Sequence, residues 1–122
     1  MLQITNINWI SNSADEAEIL ITDGNFSIFC FSQPFNGSYN SDIPQPLNVL
    51  NANEIYKIEG MQSFSVQREG NTFGYKLKGK VIENMKNHVK IGKFILELDV
   101  SLPSDVEIGD YISFGCDRID IY

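Results

Sequence analysis

Residues 73–83 read FGYKLKGKVIE, with Tyr75, Leu77, Gly79 and Val81 alternating with Lys76, Lys78 and Lys80. A period of two is the mark of a strand with one wet face. Residues 84–88 (NMKNH) turn the chain, and 89–100 (VKIGKFILELDV) return it. There Phe94, Leu96, Leu98 and Val100 share a face opposite Glu97 and Asp99, whereas Val89 and Ile91 have the other parity. The phase flips at Gly92, which predicts a β-bulge. Residues 111–122 (YISFGCDRIDIY) repeat the behaviour. Ile112, Phe114 and Cys116 point one way, Ile119 and Ile121 the other, so a second bulge is expected near Gly115.

The first half is less regular. Residues 16–22 (EAEILIT) and 25–32 (NFSIFCFS) flank Asp23-Gly24, a dipeptide suited to a type I′ hairpin turn. Ala17, Ile19 and Ile21 share one face, as do Phe26, Ile28 and Cys30. Phe29 and Phe31 point away from these, which predicts a strand covered on both sides. Residues 2–10 (LQITNINWI) read as a strand ended by SNSAD, and 63–68 (SFSVQR) pair towards 73–83 through a turn at Glu69-Gly70-Asn71. Residues 47–60 fit one helical turn or two short strands. Residues 33–46 (QPFNGSYNSDIPQP) form a long loop, and 101–110 a shorter one around Pro103. No helical periodicity is sustained. The pattern predicts one all-β domain over residues 1–122: a small, largely closed, mainly antiparallel barrel, curved by bulges near Gly92 and Gly115.

Composition agrees with one domain. A chain of 122 residues, 43% apolar, can bury a core without metal or disulfide staples. Its start, MLQITNINWISNSADEAE, has neither the basic lead nor the apolar run of a signal peptide, and no stretch is long enough to span a membrane. The expected setting is the cytoplasm, without a membrane partner, and its two cysteines, Cys30 and Cys116, are then expected reduced. Net charge is −7 but is segregated. Residues 1–56 hold six acids and no Lys or Arg, residues 57–93 hold eight of the nine bases, and the rest is acidic again apart from Arg118. Such a chain repels nucleic acid as a whole and suits a basic protein partner.

The run GKVIENMKNHVKIGKFILELDVSLPSDVEIGDYISF (residues 79–114) resembles three strands of an oligonucleotide/oligosaccharide-binding (OB-like) barrel. In those barrels a glycine-marked curved strand, a hairpin and a Gly-Asp approach to a late strand recur. That resemblance implies binding of single-stranded nucleic acid or sugar on one sheet face. EAEI at 16–19, Cys30-Phe31, Pro46-Leu47, IGKFILELD at 91–99 and GDYISFGCDRID at 109–120 resemble elements of a group of small bacterial proteins, a likeness that implies no activity. In size and acidity the chain is also similar to bacterial immunity proteins, which implies occlusion of a toxin.

No residue set carries catalytic chemistry. His88, the only histidine, falls in a turn with no nucleophile motif nearby, and reads as solvated. Two distant cysteines and one histidine do not make a zinc site. Asp105, Glu107 and Asp110 lack calcium-loop spacing. Sixteen acids allow many accidental carboxylate pairs, none in a distinctive setting. The expectation is a non-enzyme without cofactor or metal. Its partner-binding candidates are Glu16 and Glu18 on the first hairpin, Asp117 and Asp120 around Arg118, and the loop aromatics Phe35 and Tyr39. The aromatics either anchor an interface or fold back as a plug. A partner acting here is a basic protein, an immunity protein's toxin being the specific form. The alternative site is the stripe Lys76, Lys78 and Lys80 with Lys90 across the hairpin. There the expected inward aromatics, Phe73 and Tyr75, do not interleave with the lysines, so the stripe also reads as a solvated face.

Overall fold

The computed structural model describes residues 2–121. These form eleven strands and, among the described residues, no helix. In chain order they are β1 (Gln3–Ser11), β2 (Glu16–Thr22), β3 (Ser27–Ser32), β4 (Leu47–Leu50), β5 (Asn53–Lys57), β6 (Ser65–Arg68), β7 (Tyr75–Glu83), β8 (His88–Ile91), β9 (Phe94–Leu98), β10 (Tyr111–Cys116) and β11 (Arg118–Asp120). One sheet holds them all in the order β1-β2-β3-β11-β4-β9-β8-β7-β10-β5, with β6 added on β7. The sheet is mixed, because β3–β11 and β4–β9 run parallel while the other ladders are antiparallel. The ambiguous segment 47–60 resolves into two strands. Among the described residues no helix is long and apolar enough to cross a membrane.

The alternation read from the sequence sets the core. Tyr75, Leu77 and Val81 of β7, Phe94, Leu96 and Leu98 of β9, and Ile112 and Phe114 of β10 are buried together with Ala17, Ile19, Ile21, Ile28 and Cys30. Gly92 is not a bulge. Ile91 pairs with Phe94, so Gly92-Lys93 is a two-residue hairpin turn, with the positive φ that primed turns need at their first central position (56°). Parity flips there because the chain reverses. Near Gly115 the irregularity is present. β10 pairs β5 at Ser113↔Tyr56 and then at Gly115↔Asn53, so two β5 residues oppose one. The later parity change falls at Asp117, where the chain leaves β7 and begins β11 beside β4. Tyr122 of the expected last strand lies outside the described residues.

Asp23-Gly24 closes the β2–β3 hairpin, but not as a type I′ turn. The ladder ends at Thr22↔Ser27, leaving a four-residue loop. Asp23 organises it with a side chain only 7% exposed. Its Oδ1 accepts the backbone N–H of Asn25 (2.8 Å) and Phe26 (2.7 Å), and its Oδ2 accepts that of Lys93 (2.8 Å) in the β8–β9 turn. One carboxylate therefore ties two hairpins together. A Cβ on Gly92 would overlap that oxygen, a second reason for glycine there. Burial raises the Asp23 pKa, but the N–H donors outweigh it and hold the group below its ordinary value of 3.8.

No backbone ladder joins β3 to β6, and the sheet is not closed. Side chains span the gap. The Tyr75 hydroxyl accepts the Phe29 N–H (2.8 Å), and the Arg68 guanidinium lies 4.0 Å from the centre of the Phe29 ring. Phe31 meets Phe73 edge-on at 5.9 Å and carries Arg118 at 4.2 Å. β3 is thus covered on both faces, as the opposed sets Ile28/Cys30 and Phe29/Phe31 predict. Tyr75→Phe strips the partner from the Phe29 N–H, which is expected to lower stability by about 1–3 kcal/mol in urea unfolding. An unchanged midpoint would show that water replaces the hydroxyl at no loss.

Candidate functional site

The expected partner-binding residues do not form one surface. Phe35 is buried, its N–H donated to Asp15 O (2.9 Å) and its ring 5.8 Å from Trp9. It folds back into the core beside Trp9 and is not an exposed anchor. Tyr39 stays exposed at the loop tip, beside Asp42 and Gln45 in a separate cavity. Glu18 and Asp120 fall on one row of the sheet, both opposite Phe31, but neither is an open charge. Glu18 lies 3.8 Å from Arg68, and Asp120 takes two hydrogen bonds from Arg118 (2.7 and 2.9 Å). The two arginines that cover the β3 aromatics neutralise them. Glu16 is half-buried at the start of β2, and of these four carboxylates Asp117 alone is exposed. Even Asp117 accepts Asn51 Nδ2 at 2.8 Å.

The lysine stripe fares differently. β7 is paired by β10 along one edge, by β6 up to Lys78 on the other, and by β8 from Lys80 onwards. The outer face of β6-β7-β10-β5 is consequently a continuous platform. Ser113 stands opposite both Lys78 and Tyr56, Lys78 opposite Ser65, and Lys76 opposite Gly115 and Gln67. Tyr56 is 65% exposed and belongs to this face, so an aromatic platform does meet the lysines, supplied by β5. A groove of about 210 Å³ runs between Tyr56, Glu54, Ser65, Gln67, Lys76 and Lys78, with Gly115 in its floor. A Cβ there would sit 2.9 Å from Asn53 Oδ1, the tip of an exposed side chain that would have to turn aside. Lys80 faces Lys90 directly beyond the groove, and no ion pair among the described residues engages Lys76, Lys78, Lys80 or Lys90.

Glu54 is the strained member of this site. It occupies the bulge of β5 at φ 49°, a region that glutamate rarely adopts. The extra residue turns its carboxylate towards the lysine face. Beyond it a second hollow of about 560 Å³ is lined by Glu54, Glu69 and Asp117, with Lys76 the only cation. The face is therefore polarised, basic towards Lys80 and Lys90 and acidic towards Asp117.

Sequence reasoning found the lysines and missed Tyr56, Glu54, Gln67 and Glu69. The alternation of Glu54 and Tyr56 in NEIYK was visible, but without knowing which strand β5 joins it could not be placed beside Lys78.

The remaining groups are structural. Burial pushes the Cys30 thiol well above its ordinary value and that of Cys116 up to about 12, so both are free thiols without thiolate character near neutrality. His88 Nε2 lies 2.9 Å from Glu97 Oε1 across the β8–β9 ladder. Asp110 is held below the ordinary carboxylate value by the Glu107 N–H and, less strongly, by Lys57 at 3.4 Å. Among the described residues no group of three His, Cys, Asp or Glu side chains converges on a metal position. Comparison with protein-family models, curated proteins and solved structures finds no match to this chain.

Proposed function

We propose that the chain is a non-catalytic binding module of OB-like type, which takes an oligosaccharide on the outer face of β6-β7-β10-β5. The observation that carries this reading is the shared surface of exposed Tyr56 with Lys76, Lys78, Gln67, Ser65 and Ser113 around one groove. An aromatic platform ringed by hydrogen-bonding groups suits a ring-shaped polar ligand that can stack and donate at once. Glu54, Glu69 and Asp117 favour a polyhydroxyl ligand over a nucleic-acid strand, because they would face phosphates along half the path. The side-chain seam between β3 and β6 supports the barrel-like part of this reading.

Titration against an oligosaccharide panel, followed by intrinsic fluorescence and calorimetry, is the test. Tyr56→Ala is expected to weaken binding at least about fivefold, in line with the roughly 1–3 kcal/mol of a stacked ring. Raising salt from 50 to 200 mM is expected to change affinity little. Binding of a single-stranded oligonucleotide that falls steeply with salt, and fails in a Lys76/Lys78/Lys80→Ala variant, would assign the face to nucleic acid instead. No binding by either class removes the reading.

A second reading keeps the acidic character in front. The hollow lined by Glu54, Glu69 and Asp117 can receive a basic side chain of a protein partner, and a net charge of −7 speeds the encounter. An immunity protein that occludes a basic toxin is the specific form. Recovery from host lysate at low salt of a basic protein, released by Glu69→Gln/Asp117→Asn, supports it. Capture unaffected by that variant counts against it.

A further inference from the structure

The strand order ends at β1 and at β5, and the sequence guards these two edges differently. β5 is short, bulged at Glu54 and charged at Glu54 and Lys57, all features that discourage another strand. β1 is irregular against β2 near each end, but it is neither short nor charged. It runs for nine residues, and the whole stretch 2–14 (LQITNINWISNSA) contains no charged residue and no proline. Trp9 and Ile10 stand 43% and 48% exposed on it. An uncharged, β-branched edge with open backbone donors and acceptors is a template for one more strand.

We infer that β1 pairs with β1 of a second copy of this chain, antiparallel about a twofold axis at Asn8. Charge favours that occupant. Copies carrying −7 each repel as wholes, and residues 2–14, which carry no charge, are a stretch over which two copies can meet without like charges opposed. A twofold axis also sets the strand against its own copy, so charges on β1 would meet charges of the same sign, and this strand has none. Pairing β1 to β5 of another copy would leave an edge open at each end and grow without limit, whereas β1 on β1 closes.

Register follows from the pleat and the bulges. β1 pairs irregularly with β2 between Ile4 and Asn6 and between Trp9 and Ser11, so Asn6–Trp9 is its straight span. Facing residues in an antiparallel ladder project to the same side. Within the span, Ile7 and Trp9 share the side on which Trp9 packs against Phe35. An axis at Asn8 sets Ile7 beside the second copy's Trp9, and Trp9 beside the second copy's Ile7. Aromatic and β-branched pairs of this kind are favourable across strands. β1 supplies no residue to the groove, so a dimer formed through its free edge carries two grooves.

Light scattering over a concentration series is expected to show a monomer giving way to a dimer below a few hundred micromolar. Trp9, the only tryptophan, should shift its emission to the blue in parallel. Asn8→Cys, whose two thiols would meet on the axis at disulfide spacing, should cross-link under glutathione disulfide. Met85→Cys, equally open to solvent on a turn, should not. Asn8→Lys, checked for a native circular-dichroism spectrum, should stay monomeric. A parent protein monomeric throughout overturns the inference. So does a dimer that survives Asn8→Lys, or cross-linking of Asn8→Cys no faster than that of Met85→Cys.

Discussion

Replacing Asp23 with alanine is expected to destabilise the protein by about 3–5 kcal/mol, because three backbone N–H groups lose a charged acceptor at once. For a chain this long that corresponds to a fall in melting temperature of about 10–20 °C. The loss joins two elements far apart in sequence, since Asn25 and Phe26 belong to the β2–β3 loop and Lys93 to the β8–β9 turn. Asp23→Asn separates charge from geometry. Its amide oxygen can still accept from Asn25 and Phe26, but its NH2 would then face the Lys93 N–H, donor to donor, so an intermediate loss is expected. The same carboxylate sets part of the acid response. Its pKa is lower folded than unfolded, so its contribution is complete above the unfolded value and disappears as pH falls through the folded one. Parent protein should lose stability below about pH 3.8 through this group, and Asp23→Ala should lose correspondingly less over that interval. Equal stability of the two proteins at neutral pH would show that water can take the carboxylate's place.

How much of this was legible in the sequence depends on whether a signal was local. Alternation in 73–83 fixes which β7 side chains enter the core, because a strand's two faces follow from the chain itself. The Asp23-Gly24 hairpin was legible for the same reason, although the turn type was not. A buried carboxylate that reaches a backbone N–H seventy residues away outweighs the intrinsic preference of a two-residue turn. Gly92 misled because a parity flip looks the same whether a residue is inserted or the chain turns back. Only the Ile91↔Phe94 pairing separates the two. Parallel pairing of β4 with β9 left no local trace. The candidate site was half legible. Lys76 and Lys78 announced an outer face, but Tyr56 reaches it only through the β5–β10 ladder. Glu18 and Asp120 read as acidic surface because nothing in the sequence tells that Arg68 and Arg118 lie over Phe29 and Phe31.

Gly79 tests the topology from inside. It continues the inward set Tyr75, Leu77, Val81, yet has no side chain, and its backbone does not need positive φ. Conformational preference alone therefore makes Gly79→Ala favourable by about 0.5–1 kcal/mol. Packing decides otherwise. Gly79 sits where the second edge of β7 passes from β6 to β8, between Lys78↔Ser65 and Lys80↔Lys90. There β8 comes in over the strand. A Cβ would lie 2.6 Å from Val89 Cγ1, 2.8 Å from Ile91 Cγ1 and 2.8 Å from the Lys90 carbonyl oxygen. Val89 and Ile91 are fully buried, and the third neighbour is backbone, so none can move aside freely. Overpacking of this kind costs about 3 kcal/mol, which exceeds the gain in backbone preference. Gly79→Ala should melt about 10 °C below the parent, whereas Lys78→Ala on the neighbouring outward position should differ little. An alanine variant as stable as the parent would mean that β8 does not approach β7 this closely at Gly79, and the forked sheet that positions Lys76 and Lys78 beside Tyr56 would lose its support.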